Sequence, residues 1–328
     1  MRVFITGGAG FIGSSLAERL VARGDEVKVL DNLATGRLQN LATVLHHPRF
    51  EFVEQTVTHA PTVDPLVAWA DHVYHLAAPV GVKYIMDHPV TTILDNVRGM
   101  DVVMNACHKY DKKLLVASTS EVYGRSLDLL DDTGTRKLKE DDYRIEGSTQ
   151  NHRWAYANTK AMDEFLALAF HKEYGSRVVV VRFFNTVGPR QLSQYGMVIP
   201  NFVQAALANQ PLRVFGSGEQ KRSFLHVQDA LRAIMGLMEA DAAIGQVFNV
   251  GNPIEVSINE LARLVISLAD SHSRLEHVSY EAAYGKGFED MNRRTADISK
   301  LEATLNFQIA YPLEAILLDV ITHQRAGL

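Results

Sequence analysis

The chain alternates short apolar runs, rich in β-branched residues, with longer segments whose apolar residues recur at helical spacing. Some runs are apolar without polar alternation, such as the four valines at 178–181, a pattern typical of strands covered by helices on both faces. Strands are predicted at 3–6, 26–30, 50–55, 72–76, 114–118, 178–184 and 247–250, and helices at 14–23, 90–110, 155–174 and 201–208. This order predicts an α/β fold built on a doubly wound parallel sheet.

The rhythm of strands weakens after residue 185, where Pro189, Pro200, Pro211, Pro253 and Pro312 interrupt shorter elements. We expect a smaller, mixed C-terminal lobe that faces the substrate. The predicted division places 1–185 in the sheet domain, with 223–252 returning to it, and 186–222 and 253–328 in the smaller lobe. The polar stretch at 128–150 is predicted to be a long surface loop.

Composition limits the classes of partner. The chain has 328 residues and a formal net charge of −5, which gives no basic field for nucleic acid. No apolar run approaches the roughly 20 residues of a membrane span, and the N-terminus is predicted to be a strand rather than a leader. Cys107, as the single cysteine, cannot form an intramolecular disulfide, so a cytoplasmic location is expected. No cluster has metal-ligand spacing, and no metal is expected.

A glycine-rich turn joins the first predicted strand to the first predicted helix, with Gly7, Gly10 and Gly13 at three-residue spacing. Glycine suits a sharp turn where backbone approaches a pyrophosphate, and the phosphates then meet the positive end of the helix dipole. Asp31 follows the second strand, where a carboxylate can accept hydrogen bonds from the adenosine ribose. The pattern favours NAD over NADP, although the neighbouring Arg37 could accommodate a 2′-phosphate.

Tyr156 and Lys160 lie one turn apart on the same face of a predicted helix. An ammonium near a phenol stabilises the phenolate, so we expect Lys160 to lower the pKa of Tyr156. The phenolate could then take a proton from a substrate hydroxyl as hydride leaves. His75, at the end of a predicted strand, is expected to be a packed residue rather than a base.

Several motifs occur in the order found in extended short-chain dehydrogenases: the glycine turn, Asp31-Asn32-Leu33, Leu76-Ala77-Ala78, Ser-Thr-Ser-Glu-Val-Tyr-Gly at 118–124, and Tyr156 with Lys160. The whole chain resembles that family of nucleotide-sugar epimerases, dehydratases and decarboxylases. The resemblance implies a Rossmann-type domain that holds NAD, a smaller lobe that holds a nucleotide diphosphate, and a hydroxyl at Thr119 that assists Tyr156. The implied cofactor-binding residues are Gly7, Gly10, Phe11, Ile12, Gly13, Asp31, Asn32, Leu76, Ala77, Ala78, Tyr156 and Lys160.

The resemblance also implies residues that bind the substrate. In the family, Asn and Arg at the positions of Asn185 and Arg222 contact the nucleotide diphosphate, a task that suits the planar fork of arginine. Ser120 and Arg190 are further candidates. Lys83 could meet a substrate carboxylate, although the segment around it departs from the usual decarboxylase sequence.

Three positions distinguish the reactions of the family. Dehydratases carry an acid where this chain has Ser120, and a serine hydroxyl is far too weak an acid for that role. Simple 4-epimerases usually lack a carboxylate at the position of Glu121. The segment at 118–124 resembles UDP-glucuronate decarboxylases instead, in which an arginine at the position of Arg294 joins the glutamate. Thr119 and Tyr156 can hydrogen-bond the C4 oxyanion of such a reaction.

The resemblance therefore favours an NAD-dependent enzyme that oxidises C4 and decarboxylates UDP-glucuronate to a UDP-pentose, either UDP-xylose or a 4-keto-pentose. The predicted catalytic residues are Tyr156, Lys160, Thr119, Glu121 and Arg294. The alternative is a 4-epimerase of a UDP-hexose or UDP-glucuronate, while a 4,6-dehydratase or a non-catalytic NAD-binding protein is disfavoured. Members of the family commonly dimerise through the helices predicted at 90–110 and 155–174, so a homodimer is expected.

Overall fold

The computed structural model describes residues 1–79, 87–131, 133–193, 197–279 and 291–327. Its strands are β1 (Arg2–Thr6), β2 (Glu26–Asp31), β3 (Phe50–Glu54), β4 (His72–His75), β5 (Lys113–Thr119), β6 (Val178–Phe183), β7 (Thr186–Val187), β8 (Leu212–Phe215), β9 (Lys221–Arg222), β10 (Leu225–His226), β11 (Gln246–Val250), β12 (Val256–Ser257), β13 (Leu275–Val278) and β14 (Arg293–Arg294). Its helices are α1 (Phe11–Arg23), α2 (Ala60–Trp69), α3 (Pro89–Lys109), α4 (Ser126–Leu130), α5 (Ala155–Tyr174), α6 (Val198–Leu207), α7 (Val227–Glu239), α8 (Ile258–Leu268), α9 (Ser299–Leu305) and α10 (Leu313–Ala326). Each predicted strand and helix is present within a few residues of its predicted bounds.

One parallel sheet of seven strands has the order β11-β6-β5-β4-β1-β2-β3. Alternate residues of β6 point to opposite faces, because Val179 and Val181 join one apolar cluster and Val178 and Val180 join another. Helices cover both faces, so the strand is apolar throughout. The predicted α/β fold with a doubly wound parallel sheet is confirmed.

The helices form a layer on each face of this sheet. On one face α1 packs against α7, and Leu20 and Ile234 are fully buried there. On the other face α3 packs between α2 and α5, with Met104 and Cys107 in its core. Burying each such side chain contributes about 1.5–3 kcal/mol. In the described part of the chain, no helix is long and apolar enough to cross a membrane.

The C-terminal part has a core of its own. Helices α6, α8 and α10 pack together around Val203, Leu261 and Leu317. β8 pairs with β13, and a small sheet of mixed direction has the order β12-β9-β14. These smaller sheets agree with the predicted mixed lobe, while the boundaries given for it stay a prediction.

The segment predicted as a surface loop at 128–150 is more structured than its polar composition suggested. It begins inside α4, and Leu138 within it is 2% exposed. The side-chain amide of Asn249 donates to the carbonyl of Leu138 at 2.9 Å, and Leu138 forms an isolated bridge with Ala296. One buried leucine and a few backbone bonds leave little signal in the sequence, which explains the difference.

Candidate active site

The carboxyl ends of β1, β4, β5 and β6 open onto one cavity of about 1080 Å³. Its lining includes Gly7 and Asp31 of the first half of the sheet, Tyr156, and Arg222 and Phe215 of the C-terminal part. β1 lies between β2 and β4, so the order of strands reverses beside it. Ligands of open α/β sheets bind beyond the carboxyl ends at such a switch point. The cavity is therefore the candidate active site.

The turn between β1 and α1 has no room for side chains at two of its glycines. Gly7 has a φ of 71°, and a Cβ there would lie 2.7 Å from the backbone of Ala77. A Cβ at Gly13 would lie 2.3 Å from the carbonyl oxygen of Gly7. Gly10 is the N-cap of α1 and supplies no side-chain cap, so the first-turn amides can bind an anion.

Asp31 ends β2 and faces this turn. One carboxylate oxygen accepts from the backbone N–H of Ala9 at 3.0 Å and the other from that of Leu33 at 2.8 Å. Burial raises the pKa of Asp31, and the two backbone bonds oppose that rise. Each oxygen has a second lone pair for a ligand hydroxyl. The neighbouring Asn32 lines the same cavity while its side chain accepts from Ala34 at 3.1 Å.

These features fit a dinucleotide such as NAD. The glycines allow the backbone to turn tightly between β1 and α1, the end of α1 offers amides to phosphate, and Asp31 offers acceptors to a ribose. The other predicted cofactor residues that line the cavity are Phe11, Ile12, Leu76, Ala77 and Ala78.

Thr119 ends β5, and the helical turn Ser120–Tyr123 follows directly. The hydroxyl oxygen of Thr119 accepts from the backbone N–H of Glu121 at 3.2 Å and so caps that turn. Its hydrogen remains to donate to another oxygen. Ser120 is buried, and Thr119, Ser120 and Glu121 all line the cavity together with Tyr156.

The charge of Lys160 is countered inside the protein. Its ammonium donates to the carboxylate of Asp163 at 2.7 Å, and both side chains are 2% exposed. Burial raises the pKa of Tyr156 above its ordinary value, and the negative charges of Glu121 and Asp163 raise it further. The expectation that Lys160 lowers the pKa of Tyr156 is therefore wrong for the protein by itself, because burial and the negative charges of Glu121 and Asp163 hold that pKa above its ordinary value.

Arg294 of β14 joins distant parts of the chain. Its guanidinium forms an ion pair with Glu121 and donates to the side-chain oxygen of Asn185 at 2.9 Å. β14 pairs with β9, which sets Arg294 opposite Arg222. A planar guanidinium suits two acceptors at once. The fold thus brings Glu121 and Arg294 together on the wall of the cavity that Tyr156 also lines.

Asn185 and Arg222 lie on the same wall. The amide nitrogen of Asn185 donates to the carbonyl of Ser223 at 2.9 Å, which fixes the orientation of the side chain. Arg222 is 9% exposed and donates to the carbonyl of Asn292 at 3.2 Å. Both side chains line the cavity, so the structure brings them to one place, while their predicted contact with a nucleotide diphosphate stays a prediction.

Arg190 lies differently from the other substrate candidates. Its guanidinium is bonded to the carboxylate of Glu18 on α1 and to the carbonyl of Asn40, the latter at 2.9 Å. These contacts hold it against the α1 side of the cavity rather than beside Arg222. Lys83 lies outside the described residues.

Sequence reasoning missed a buried network behind Thr119. Glu164 of α5 accepts from the hydroxyl of Ser118 and from two nitrogens of Arg182, at 2.9 and 2.7 Å. The guanidinium of Arg182 lies 4.6 Å from the ring centroid of Tyr123. Because Ser118 precedes Thr119, the network fixes the end of β5 against α5. The available signal was an acid one turn after Lys160 on the same helix face.

His75 is a packed residue, as expected. It is 2% exposed, and its Nδ1 is 2.8 Å from the hydroxyl of Thr6. Burial, with a smaller contribution from the charge of Lys160, lowers the pKa of His75 to about 3. The imidazole is therefore neutral at any ordinary pH.

Residues 3–251 match the model of the NAD dependent epimerase/dehydratase family, and the chain belongs to that family. The predicted family, the prediction that the chain is an enzyme and the prediction of NAD as its cofactor are confirmed.

Individual sequence relatives and a solved structure give a more specific comparison than the family model. The chain is 38% identical to a UDP-N-acetyl-alpha-D-glucosaminuronate decarboxylase of Bacillus cytotoxicus, over 93% of this chain and 92% of that protein. It is 35% identical to UDP-glucuronic acid decarboxylase 1 of Xenopus tropicalis, over 100% of this chain and 73% of that protein. A crystal structure of a UDP-glucuronic acid 4-epimerase from Bacillus cereus, with NAD bound, matches with a TM-score of 0.87 at 25% identity, covering 100% of both chains. The predicted decarboxylase function agrees with the names of the two sequence relatives.

Proposed function

We propose that the chain is an NAD-dependent decarboxylase of a UDP-activated hexuronate, which oxidises C4 of the sugar and releases C6 as carbon dioxide. The observation that carries the proposal is the ion pair of Glu121 and Arg294 in the cavity lined by Thr119 and Tyr156. A simple 4-epimerase needs a base and a ketone that rotates within the site, and it has no use for this charged pair. The two decarboxylase relatives support the same reaction.

Tyr156 and Thr119 act on the C4 hydroxyl. Tyr156, as a phenolate, takes the hydroxyl proton, and Thr119 donates a hydrogen bond to the same oxygen. The chemistry that NAD supplies when bound is acceptance of the hydride that leaves C4. Lys160 holds its positive charge on the same helix, one turn from the phenol.

Oxidation of C4 turns the sugar into a β-keto acid. The bond between C5 and C6 then breaks, carbon dioxide leaves, and the electron pair of that bond passes to the C4 oxygen as an enolate. Thr119 and Tyr156 stabilise this oxyanion by hydrogen bonds. Arg294 positions the ring that bears the carboxylate, and Glu121 transfers the proton that returns to C5.

Residues of both the NAD domain and the C-terminal lobe hold the UDP-sugar. Asn185 and Arg222 bind the diphosphate, and Ser120 contacts the sugar. The lobe is assigned to 186–222 and 253–328, and the NAD domain to 1–185 with 223–252. Arg190 contacts α1 and so supports the part of the cavity that binds the dinucleotide. A contact of Lys83 with the substrate carboxylate stays a prediction.

The protein forms a homodimer through α3 and α5. These helices pack together and expose an apolar patch, in which each residue is at least 39% exposed: Val90, Ile93, Leu94, Val97, Met162 and Phe165. A continuous apolar patch on two helices that run side by side in the same direction suits a four-helix bundle with a second copy. In light scattering, Phe165→Asp should halve the mass, whereas Tyr143→Asp, at an aromatic residue that is 81% exposed elsewhere, should leave it unchanged.

We expect the protein to be located in the cytoplasm. Its support is the single cysteine, Cys107, which is buried as a free thiol and suits a reducing compartment. Cell fractionation tests it, and recovery of the protein from a secreted or membrane fraction would contradict it.

The decisive experiment supplies NAD with UDP-glucuronate and, separately, UDP-N-acetylglucosaminuronate. Loss of carbon dioxide from either, measured by product mass, supports the proposal and identifies the sugar. Accumulation of reduced cofactor marks release of a 4-keto-pentose, and its absence marks a UDP-pentose such as UDP-xylose. A product of unchanged mass on a new chromatographic peak would move the assignment to a 4-epimerase. Tyr156→Phe is the matched control, since it removes one hydroxyl and should abolish turnover while NAD still binds.

A further inference from the structure

The buried pair of Lys160 and Asp163 lies on the helix that carries the predicted catalytic tyrosine. The two charged groups are 2.7 Å apart, and each side chain is 2% exposed. Lys160 lies one turn after Tyr156 on α5, and Asp163 one turn after Lys160. An ion pair this deeply buried loses much solvation, so it persists only where the geometry is good and the charges compensate each other.

The other charged or titratable side chains around Tyr156 and Lys160 are not the counter-charge of Lys160. They are Glu121 after β5, Asp95 of α3, His75 of β4, Glu164 of α5, Arg182 of β6 and Arg294 of β14. Glu121 is paired with Arg294 and Glu164 with Arg182. His75 is neutral, and Asp95 lines the cavity. Among the described residues, Asp163 is the carboxylate that the ammonium of Lys160 contacts.

The distance between the paired groups decides their effect on the phenol. An ammonium within about 4–6 Å that lacks a counter-charge lowers the pKa of a phenol by about 1–3 units. With a carboxylate 2.7 Å from the ammonium, the field at the phenol is that of a dipole and is much weaker. Asp163 also takes one of the three hydrogens of the ammonium, which fixes the direction of the other two.

We propose that Asp163 is a positioning residue for catalysis, which orients the ammonium of Lys160 and counters its charge, so that Tyr156 stays a protonated phenol until cofactor and sugar bind. Its catalytic meaning rests on the proposed function. The arrangement of charges does not rest on that function, because Lys160 and Asp163 are paired in the protein without ligands. The cause is geometric: Tyr156 and Asp163 lie one turn to either side of Lys160 on the same helix, and the ammonium is bonded to Asp163.

The first test is the pH dependence of kcat/KM for UDP-glucuronate. Asp163→Asn keeps the size of the side chain and removes its charge, so the limb on which activity rises with pH should move down by about one unit. Asp163→Glu keeps the charge and should return the limb toward the wild-type position. A purely structural role would lower the yield or stability of folded enzyme without moving the limb. An unmoved limb in Asp163→Asn would overturn the proposal.

The second test needs no turnover. The near-ultraviolet difference absorbance between the wild type and Tyr156→Phe, without ligands, reports ionisation of this one phenol. We expect no phenolate below a pH of about 9, against an ordinary tyrosine pKa of about 10, and a midpoint about one unit lower in the Asp163→Asn background. A phenolate in the wild type near neutral pH would refute the proposal even if Asp163→Asn does not fold. Because the titration is independent of substrate, it also separates failure of this proposal from failure of the decarboxylase assignment.

Discussion

The substitution Glu164→Gln tests whether the network behind Thr119 stabilises the fold. Both Glu164 and Arg182 have side chains that are 7% exposed, and the carboxylate accepts three hydrogen bonds from two nitrogens of the guanidinium and one from Ser118. Removing one partner of a buried ion pair costs about 3–5 kcal/mol, since the remaining charge is left desolvated. Glutamine keeps the size and one acceptor oxygen, so we expect a loss near the lower end, about 3 kcal/mol.

Urea denaturation followed by circular dichroism measures this loss. With a slope of about 2–3 kcal/mol/M, the midpoint should fall by about 1 M or more. The matched control is Glu276→Gln, which removes the partner of Arg213 in an exposed pair 3.8 Å apart. Exposed pairs contribute about 0–1 kcal/mol. If Glu164→Gln loses no more stability than Glu276→Gln, the reasoning about burial is refuted.

The remaining predictions concern cofactor, substrate and pH. In Gly13→Ala the new Cβ would lie 2.3 Å from the carbonyl oxygen of Gly7, so NAD affinity in calorimetry should fall at least about tenfold, ~1.4 kcal/mol; an unchanged affinity would contradict the steric argument. Arg294→Lys loses the planar fork that meets Glu121, so kcat/KM for UDP-glucuronate should fall about 100-fold with NAD affinity retained, and near-normal turnover would remove Arg294 from the site. Folding lowers the pKa of His75 from 6.5 to about 3. Between these two pH values the unfolded chain therefore binds more protons than the folded protein, so the free energy of unfolding falls as the pH falls. The contribution of the neutral imidazole to stability is complete above pH 6.5 and is lost toward the folded value. His75→Asn should therefore flatten the dependence of the unfolding free energy on pH in that window, by up to about 1.4 kcal/mol per unit, and a slope equal to that of the wild type would refute this.

The parts of the site that sequence reasoning predicted are those that local rules determine. Gly7 adopts a positive φ, Gly13 lies against the carbonyl oxygen of Gly7 in the same turn, and the spacing of Tyr156 and Lys160 follows from helix geometry. The apolar runs predicted the strands because helices cover both faces of the sheet, so the successive valines of a strand such as Val178–Phe183 are buried. Such features depend mainly on neighbours in the chain. The parallel sheet, the glycine-rich turn after β1 and the helix of Tyr156 could therefore be predicted without the tertiary structure.

The partners of the charged groups were decided by the tertiary structure. Lys160 has Tyr156 at one turn and Asp163 at the other, and only packing shows that the ammonium bonds to the carboxylate. Glu121 and Arg294 are separated by 173 positions and meet because β14 pairs beside β9. A charge selects its partner by distance and by how far water is excluded. For Glu121 and Arg294 both quantities arise where segments far apart in the chain come into contact, and for Lys160 and Asp163 the exclusion of water comes from packing around α5. No periodicity along the sequence records either.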